Sequence, residues 1–275
     1  MMLCDEPGIG RFRSEGDAEM GEGFRLFIWQ GGVVLFLVAI WALGNATGLI
    51  DMAILPPVQI VGYQIAAVLV RPEFAAAMGH TIFDALRGLL IGSILAIPAG
   101  ILIGMFPAVE RATRMLIDFG RSFPVIALLP ILVLLFGATS EMKVVAIAIA
   151  CFFPVLIQTI SGARRLDRTI VDTIRSYRIP AHLRFFKVLL PAAGPYISTG
   201  LRIATTVSIL VSVGVEIVSL TPGIGREISL ARSYNETPTA FAYIFFAGLL
   251  GVFLTFLWDR LEARLLGWHL RSTAE

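Results

Sequence analysis

Cysteine is nearly missing from this sequence: 275 residues hold only Cys4 and Cys151. Cys4 lies in the polar tail and Cys151 in an apolar run, and neither belongs to a CxxC or a disulfide framework. Histidine is almost as rare, and His80, His182 and His269 stand alone, with no HExxH and no pair at metal-ligand spacing. A GxxxxGK[ST] run is absent too, so the chain lacks a phosphate-cradling loop and is not expected to hydrolyse ATP itself. "GIGRE" at 223–227 has neither the preceding strand nor the third glycine of a dinucleotide fingerprint. No spacing suggests a Ser/His/Asp or Cys/His set. These gaps argue against an enzyme and against a metal or cofactor held by this chain. Charge is also sparse, 15% of residues with a formal net of +2, which gives bulk nucleic-acid binding no support.

What is present in abundance is apolar length. Hydrophobic residues make up 57% of the chain, more than a soluble domain of this size can hide. Leu26–Ile50, Gly88–Val109, Ser122–Ser140, Val144–Ala163 and Thr237–Trp258 contain no Asp, Glu, Lys or Arg. About 20 such residues are needed for a helix to cross the ~30 Å hydrocarbon core. Pro195–Leu220 is a sixth candidate, interrupted only by Arg202 and Glu216. Backbone against lipid must satisfy its own hydrogen bonds, so an all-α membrane protein is expected. Six transmembrane helices are assigned, at about 26–46, 80–106, 114–137, 141–162, 195–218 and 239–262. Val58–Val70 is apolar but short, and it follows Pro56-Pro57, so it reads as an interfacial helix within an extracytoplasmic segment, 47–77.

Residues 1–25 carry six acidic side chains between positions 5 and 22 and no apolar core after Met1. That pattern is not a secretory signal and reads as a disordered cytoplasmic tail. With both termini inside, fifteen basic residues fall on the inner pieces and four, Arg71, Lys143, Arg226 and Arg232, on the outer ones. The imbalance orients the bundle.

The second span carries a ladder, Gly88, Gly92, Ala96, Gly100 and Gly104, that leaves one face nearly bare backbone for a neighbouring helix to approach. Pro98, Pro124, Pro130 and Pro154 punctuate the spans and are expected to kink them. Charges inside spans usually face a cavity or a partner. Arg121, with the adjoining Ser122 and Pro124, and Glu216 are therefore the pathway candidates, although Arg121 and Arg202 also fit as snorkelling side chains. Glu216 either lines a vestibule or ties its helix to the loop that follows.

"DTIRSYRIPAHLRFFKVLLP" at 172–191 adds three arginines and a lysine to an otherwise apolar chain. Thr169 through Asp172 has the form of a capping box, and Ile170, Ile174 and Tyr177 share a helix face flanked by Arg175 and Arg178. Pro180 ends that helix, Ile179 is pushed out of helical geometry, and a second short helix is expected at 181–189. Two readings fit the physics: a dock for another protein, and a basic helix on anionic membrane lipid.

Here the sequence resembles the permease subunits of ATP-binding-cassette importers. Their cytoplasmic loop carries an acidic residue, a small pair, a glycine and, about nineteen positions on, a proline; Asp172 and Pro191 take the outer places. Thr173, Ile174 and Arg178 replace the small pair and the glycine. "ILPPVQIV", "RSFPVIALLPILVLLFG" at 121–137 and "VEIVSLTPGIGREI" at 215–228 are similar to the nitrate/sulfonate/taurine branch. The resemblance implies a fold of the type I importer permease kind over 78–265, with a coupling loop at 163–193 and a cytoplasmic tail at 266–275. It implies a bacterial inner-membrane homodimer, two cytoplasmic ATPase subunits that bind ATP and magnesium, and an extracytoplasmic solute-binding protein. The coupling contact would fall on Thr169, Asp172, Ile174, Arg175, Ser176, Tyr177, Arg178, Ile179, Pro180 and Pro191. A stand-alone secondary transporter, which needs ion-coupling acids at mid-membrane, and a non-transporting scaffold are the alternatives.

Overall fold

A computed structural model describes residues 11–48, 51, 54–165, 176–177 and 180–265. The chain divides into two units, Met1–Gly62 and Tyr63–Glu275, and the division falls within a helix. Of the expected coupling residues, Thr169, Asp172, Ile174, Arg175, Arg178 and Ile179 lie outside the described part.

In the first unit, α1 runs Arg11–Ala46. Composition assigned residues 1–25 to a disordered tail; the helix instead takes in the stretch from Arg11, where no proline interrupts it. Its apolar part, Ile28–Ala46, is long enough to cross a membrane. At its end, the Trp41 indole N–H donates to the Pro56 carbonyl at 3.1 Å.

α2, Val58–Leu69, leads into the second unit. α3 covers Pro72–Met105, with Pro72 at its first turn, where the missing N–H costs nothing. At 34 residues α3 is about 50 Å long, well beyond the ~30 Å hydrocarbon layer. α4 is Pro107–Ser122, a 3-10 turn follows at Val125–Leu128, and α5 is Leu129–Phe136. α6 is Ser140–Arg164, capped by the Thr139 hydroxyl, which accepts the Met142 N–H at 3.3 Å. α7 (Ala181–Arg184) passes through a π turn, Phe185–Leu189, into α8 (Leu190–Ser219). In that turn Leu190 N–H bonds the Phe185 carbonyl, a wider loop that accommodates Pro191 just behind it. α9 (Ile224–Ser233) and α10 (Thr237–Leu265) complete the chain.

One expected span is corrected. Residues 114–137 do not form a single helix; α4 and the Val125–Phe136 piece meet at 86°. Phe123, which precedes Pro124, is extended (φ −77°, ψ 125°), as the proline ring demands of its predecessor. Among the described residues five helices are long and apolar enough to span, six if the bent pair is counted as one.

α6 is the central helix. Its buried Met142, Ile147, Cys151, Val155 and Leu156 join Ala96 of α3, Leu129 of α5 and Ala204 and Val215 of α8 in one core. A second core gathers Ile209 of α8, Ile224 and Ile228 of α9, and Tyr243, Phe246 and Leu250 of α10 around Ala85 of α3. The small-residue ladder forms the α3–α6 seam. A Cβ on Gly88 would lie 2.5 Å from Ile147 Cγ2, and one on Gly92 would lie 2.7 Å from the Ala148 carbonyl oxygen. Added Cβ atoms on Gly100 and Gly104 would meet Thr159 Cβ at 2.6 Å and Ala163 Cβ at 2.7 Å, while Ala96 is fully buried between them.

The seam has a measurable consequence. Gly92→Leu must push two backbones apart, and overpacking of this kind costs about 1–3 kcal/mol or more. The thermal unfolding midpoint of the purified chain in detergent should fall. Gly79→Leu, at a position with nothing within 4 Å, serves as the control and should stay near wild type. Equal midpoints for the two variants would mean the seam is not tight.

Candidate functional site

Three charged side chains far apart in sequence meet where α3, α6, α8 and α9 converge. Lys143 in the first turn of α6 has its ammonium 2.8 Å from Asp84 Oδ2 on α3 and 2.9 Å from Glu216 Oε1 on α8. Its third contact is the Pro222 carbonyl, at 2.9 Å. Lys143 and Glu216 are fully buried and Asp84 is 2% exposed. Arg87, 3.7 Å from Asp84 Oδ1, supplies a second cation, so two positive and two negative groups balance.

Each member depends on the others. Lys143 sits at the positive end of the α6 dipole and Glu216 near the negative end of α8, where each charge is disfavoured alone. The Glu216 carboxylate accepts from the Thr81 and Ser212 hydroxyls at 3.0 and 3.1 Å and from the Gly225 N–H at 2.9 Å. Thr81 in turn accepts the Ile224 N–H at 2.9 Å. Residues of α3 and α8 thus cap the start of α9, which has no side-chain cap of its own.

The connecting "TPGIG" has to pass very close to this cluster. Gly223 lies at φ 152°, ψ −179°, a region reserved for glycine, and a Cβ there would stand 2.1 Å from Glu216 Cδ. A Cβ on Gly225 would stand 2.4 Å from the Val213 carbonyl.

The pathway candidates separate. Glu216 is sealed inside, and of its two expected roles it takes that of tying its helix to the following loop. Lys143, counted among the outer cations, is interior. Arg121 closes α4 and pairs with Asp118 at 3.0 Å, and the Ser122 hydroxyl donates to the Asp118 carbonyl at 2.9 Å. Pro124 stands at the bend, beside a cavity of about 340 Å³ lined by Val125, Ile126, Phe153 and Pro154. Arg202 of α8 pairs across to α10, 3.1 Å from Asp259 and in contact with Glu262. The coupling residues that are described, Ser176, Tyr177, Pro180 and Pro191, are all exposed, and Tyr177 is 79% so.

Asp84, Lys143, Thr81 and Ser212 were missed by sequence reasoning. Asp84 and Lys143 do sit beside uncharged runs, a weak signal, but nothing local says which helices their partners occupy.

Residues 88–267 match the model of the binding-protein-dependent transport system inner membrane component. The chain belongs to that family. Over 250 residues it is 30% identical to a putative aliphatic sulfonates transport permease, SsuC, of Bacillus subtilis strain 168, covering 90% of each chain. It is 26% identical to the taurine transport system permease TauC of Escherichia coli K12, covering 86% of this chain and 88% of that one. The fold is similar to that of the inward-facing MetNI methionine ABC transporter, with a TM-score of 0.60 at 16% identity over 69% of this chain and 94% of that one. The chain is therefore a multi-pass permease of the ATP-binding-cassette importer class, in the branch that its sequence resembles.

For this permease the charge cluster yields a sharp expectation. Lys143→Met leaves two carboxylates buried without their shared cation, which should cost about 3–5 kcal/mol. Thermal unfolding in detergent should register the loss. Adding Asp84→Asn and Glu216→Gln removes the orphaned charges and should recover part of it. A Lys143→Met chain as stable as wild type would show that the cluster contributes nothing to the fold.

Proposed function

We propose that this permease forms the translocation path for a small anionic solute of the sulfonate class. It works as a homodimer, with two ATPase subunits at the cytoplasmic face and a binding protein on the other side. The observation that carries the reading is the 30% identity to a sulfonate permease across 90% of both chains. The TauC likeness supports a sulfonate substrate from a second direction. ATP and magnesium belong to the partner in this reading, since the chain has no phosphate-cradling loop.

The basic-residue bias supports cytoplasmic termini and a cytoplasmic 163–193, with 47–77 and 219–238 outside. Single cysteines at Ala66 and Ser233, in a chain with Cys4→Ser and Cys151→Ala, should react in intact cells with an impermeant thiol reagent. One at Ala108 should react only after permeabilisation. The reverse pattern would invert the bundle.

Coupling is assigned to the segment around Tyr177. A large exposed aromatic between arginines is suited to anchor in a cleft of another protein, and truncating such anchors often costs ~2 kcal/mol or more. In a strain lacking the permease, the wild-type chain should restore uptake of labelled taurine or ethanesulfonate and should co-purify with its ATPase in mild detergent. The double variant Tyr177→Ala, Arg178→Glu should reach the membrane normally yet lose both properties. Wild-type association of the double variant, without anionic lipid present, would sink the coupling assignment. Restored uptake of a cation but of no sulfonate would sink the substrate class.

A further inference from the structure

α4 is the least expected helix of the fold, and it walls a charged cleft. Between α4 and the last turns of α6 lies an open space of about 860 Å³. Its walls carry Arg111, Arg114, Arg121 and Arg164 against only Glu110 and Asp118. Both carboxylates are already engaged: Glu110 Oε1 takes Arg164 Nη1 at 2.7 Å, and Asp118 Oδ1 takes Arg121 Nε at 3.0 Å. Among the described residues, Arg111 makes a hydrogen bond only through its Nε, to the Pro107 carbonyl of its own helix at 3.2 Å. Arg114 has no acidic partner among the described residues. Two guanidinium groups, one helical turn apart, therefore line the cleft with most of their donors unclaimed by the described residues.

The floor is apolar, from Ile117, Ile157 and Ile160. Arg121 and Ile157 also line the neighbouring cavity at the Pro124 bend, so the two spaces adjoin. A spare pair of planar forks over an apolar floor suits an oxyanion with a short carbon tail, because guanidinium binds such oxygens bidentately.

We propose that this cleft is an oxyanion site, built on Arg111 and Arg114, that receives the anionic solute at the inner end of its path. The proposal rests on the permease reading above and adds to it the residues that recognise the cargo's charge. The headgroup of an anionic phospholipid shares the same chemistry, so the test separates the two sources.

Ser161 lines the cleft and can report on it. The probe position is Ser161→Cys in the full chain with Cys4→Ser and Cys151→Ala, reconstituted in nanodiscs of phosphatidylcholine and, separately, of phosphatidylglycerol. The rate of alkylation by a small neutral maleimide is read with added ethanesulfonate or sulfate and with a neutral amide as control. In phosphatidylcholine, alkylation should slow about tenfold at a probe concentration ten times the half-protecting one, and the amide should have no effect. Arg111→Gln with Arg114→Gln should abolish the protection, while Arg111→Lys with Arg114→Lys should keep part of it. Neither arginine makes an ion pair among the described residues, so these variants should fold, which an unchanged unfolding midpoint will verify.

No protection by either anion, or protection that survives the double glutamine variant, overturns the site. Alkylation that is slow only in phosphatidylglycerol and indifferent to ethanesulfonate in both lipids assigns the site to a headgroup and overturns the solute proposal. Failure of the uptake experiment is a separate result, since the alkylation test asks only whether an oxyanion binds here.

Discussion

The whole arrangement depends on how closely α3 and α6 approach. Along their seam the side chains of one helix have been reduced to hydrogen or methyl, and carbonyl oxygens and Cβ atoms of the other fill the space. Lipid tails offer helices little hydrophobic reason to associate, so close van der Waals contact must supply the attraction. The approach also fixes distances elsewhere. Lys143 stands one turn from the seam on α6 and Asp84 one turn before its first glycine on α3. Only with the backbones in contact can the ammonium come within 2.8 Å of that carboxylate. The seam thus sets the geometry in which an otherwise costly lysine becomes tolerable.

α8 joins this pair through the same device at lower density. A Cβ on Gly200 would lie 3.0 Å from Gln158 Cβ, and one on Gly162 would lie 2.8 Å from Tyr196 Cβ. Once α8 is seated, Glu216 reaches Lys143 and the start of α9 together. The cluster then acts across four helices, and the sharp turn at Gly223 is the local cost of bringing α9 so near.

Much of this was legible in the sequence because the bilayer imposes simple demands. Uncharged runs of sufficient length had to be helices, and glycine recurring every fourth residue had to mark a contact face. The break at Pro124 was harder to see. Hydropathy runs smoothly across 122–140, and the charges of 110–121 looked like the border of a span rather than one wall of an amphipathic helix. The decisive signal was local: Pro107 and Pro124 bound a segment whose arginines and acids recur at helical spacing. The Asp84–Lys143–Glu216 cluster was illegible for another reason. Pairing between helices is a property of the packed bundle, and each residue alone resembles an ordinary charge at a span end. The start of α1 at Arg11 shows composition misleading in the opposite direction, since acidic residues and glycines did not prevent a helix.

Finding buried acids reopens the question of a transporter that couples to ions by itself. Such a protein needs carboxylates that alternate between loading an ion and releasing it, which requires water to reach them in at least one state. Asp84 and Glu216 are placed otherwise. Both Glu216 oxygens accept hydrogen bonds from protein donors, one of them the backbone N–H that begins α9. Asp84 is held between Lys143 and Arg87. Releasing either group would unmake a helix start or strand a buried cation, at a cost of several kcal/mol in each cycle. Carboxylates committed in this way brace the bundle. In the function proposed above, the energy for transport enters from a partner ATPase, and Tyr177, 79% exposed, is the side chain offered to it.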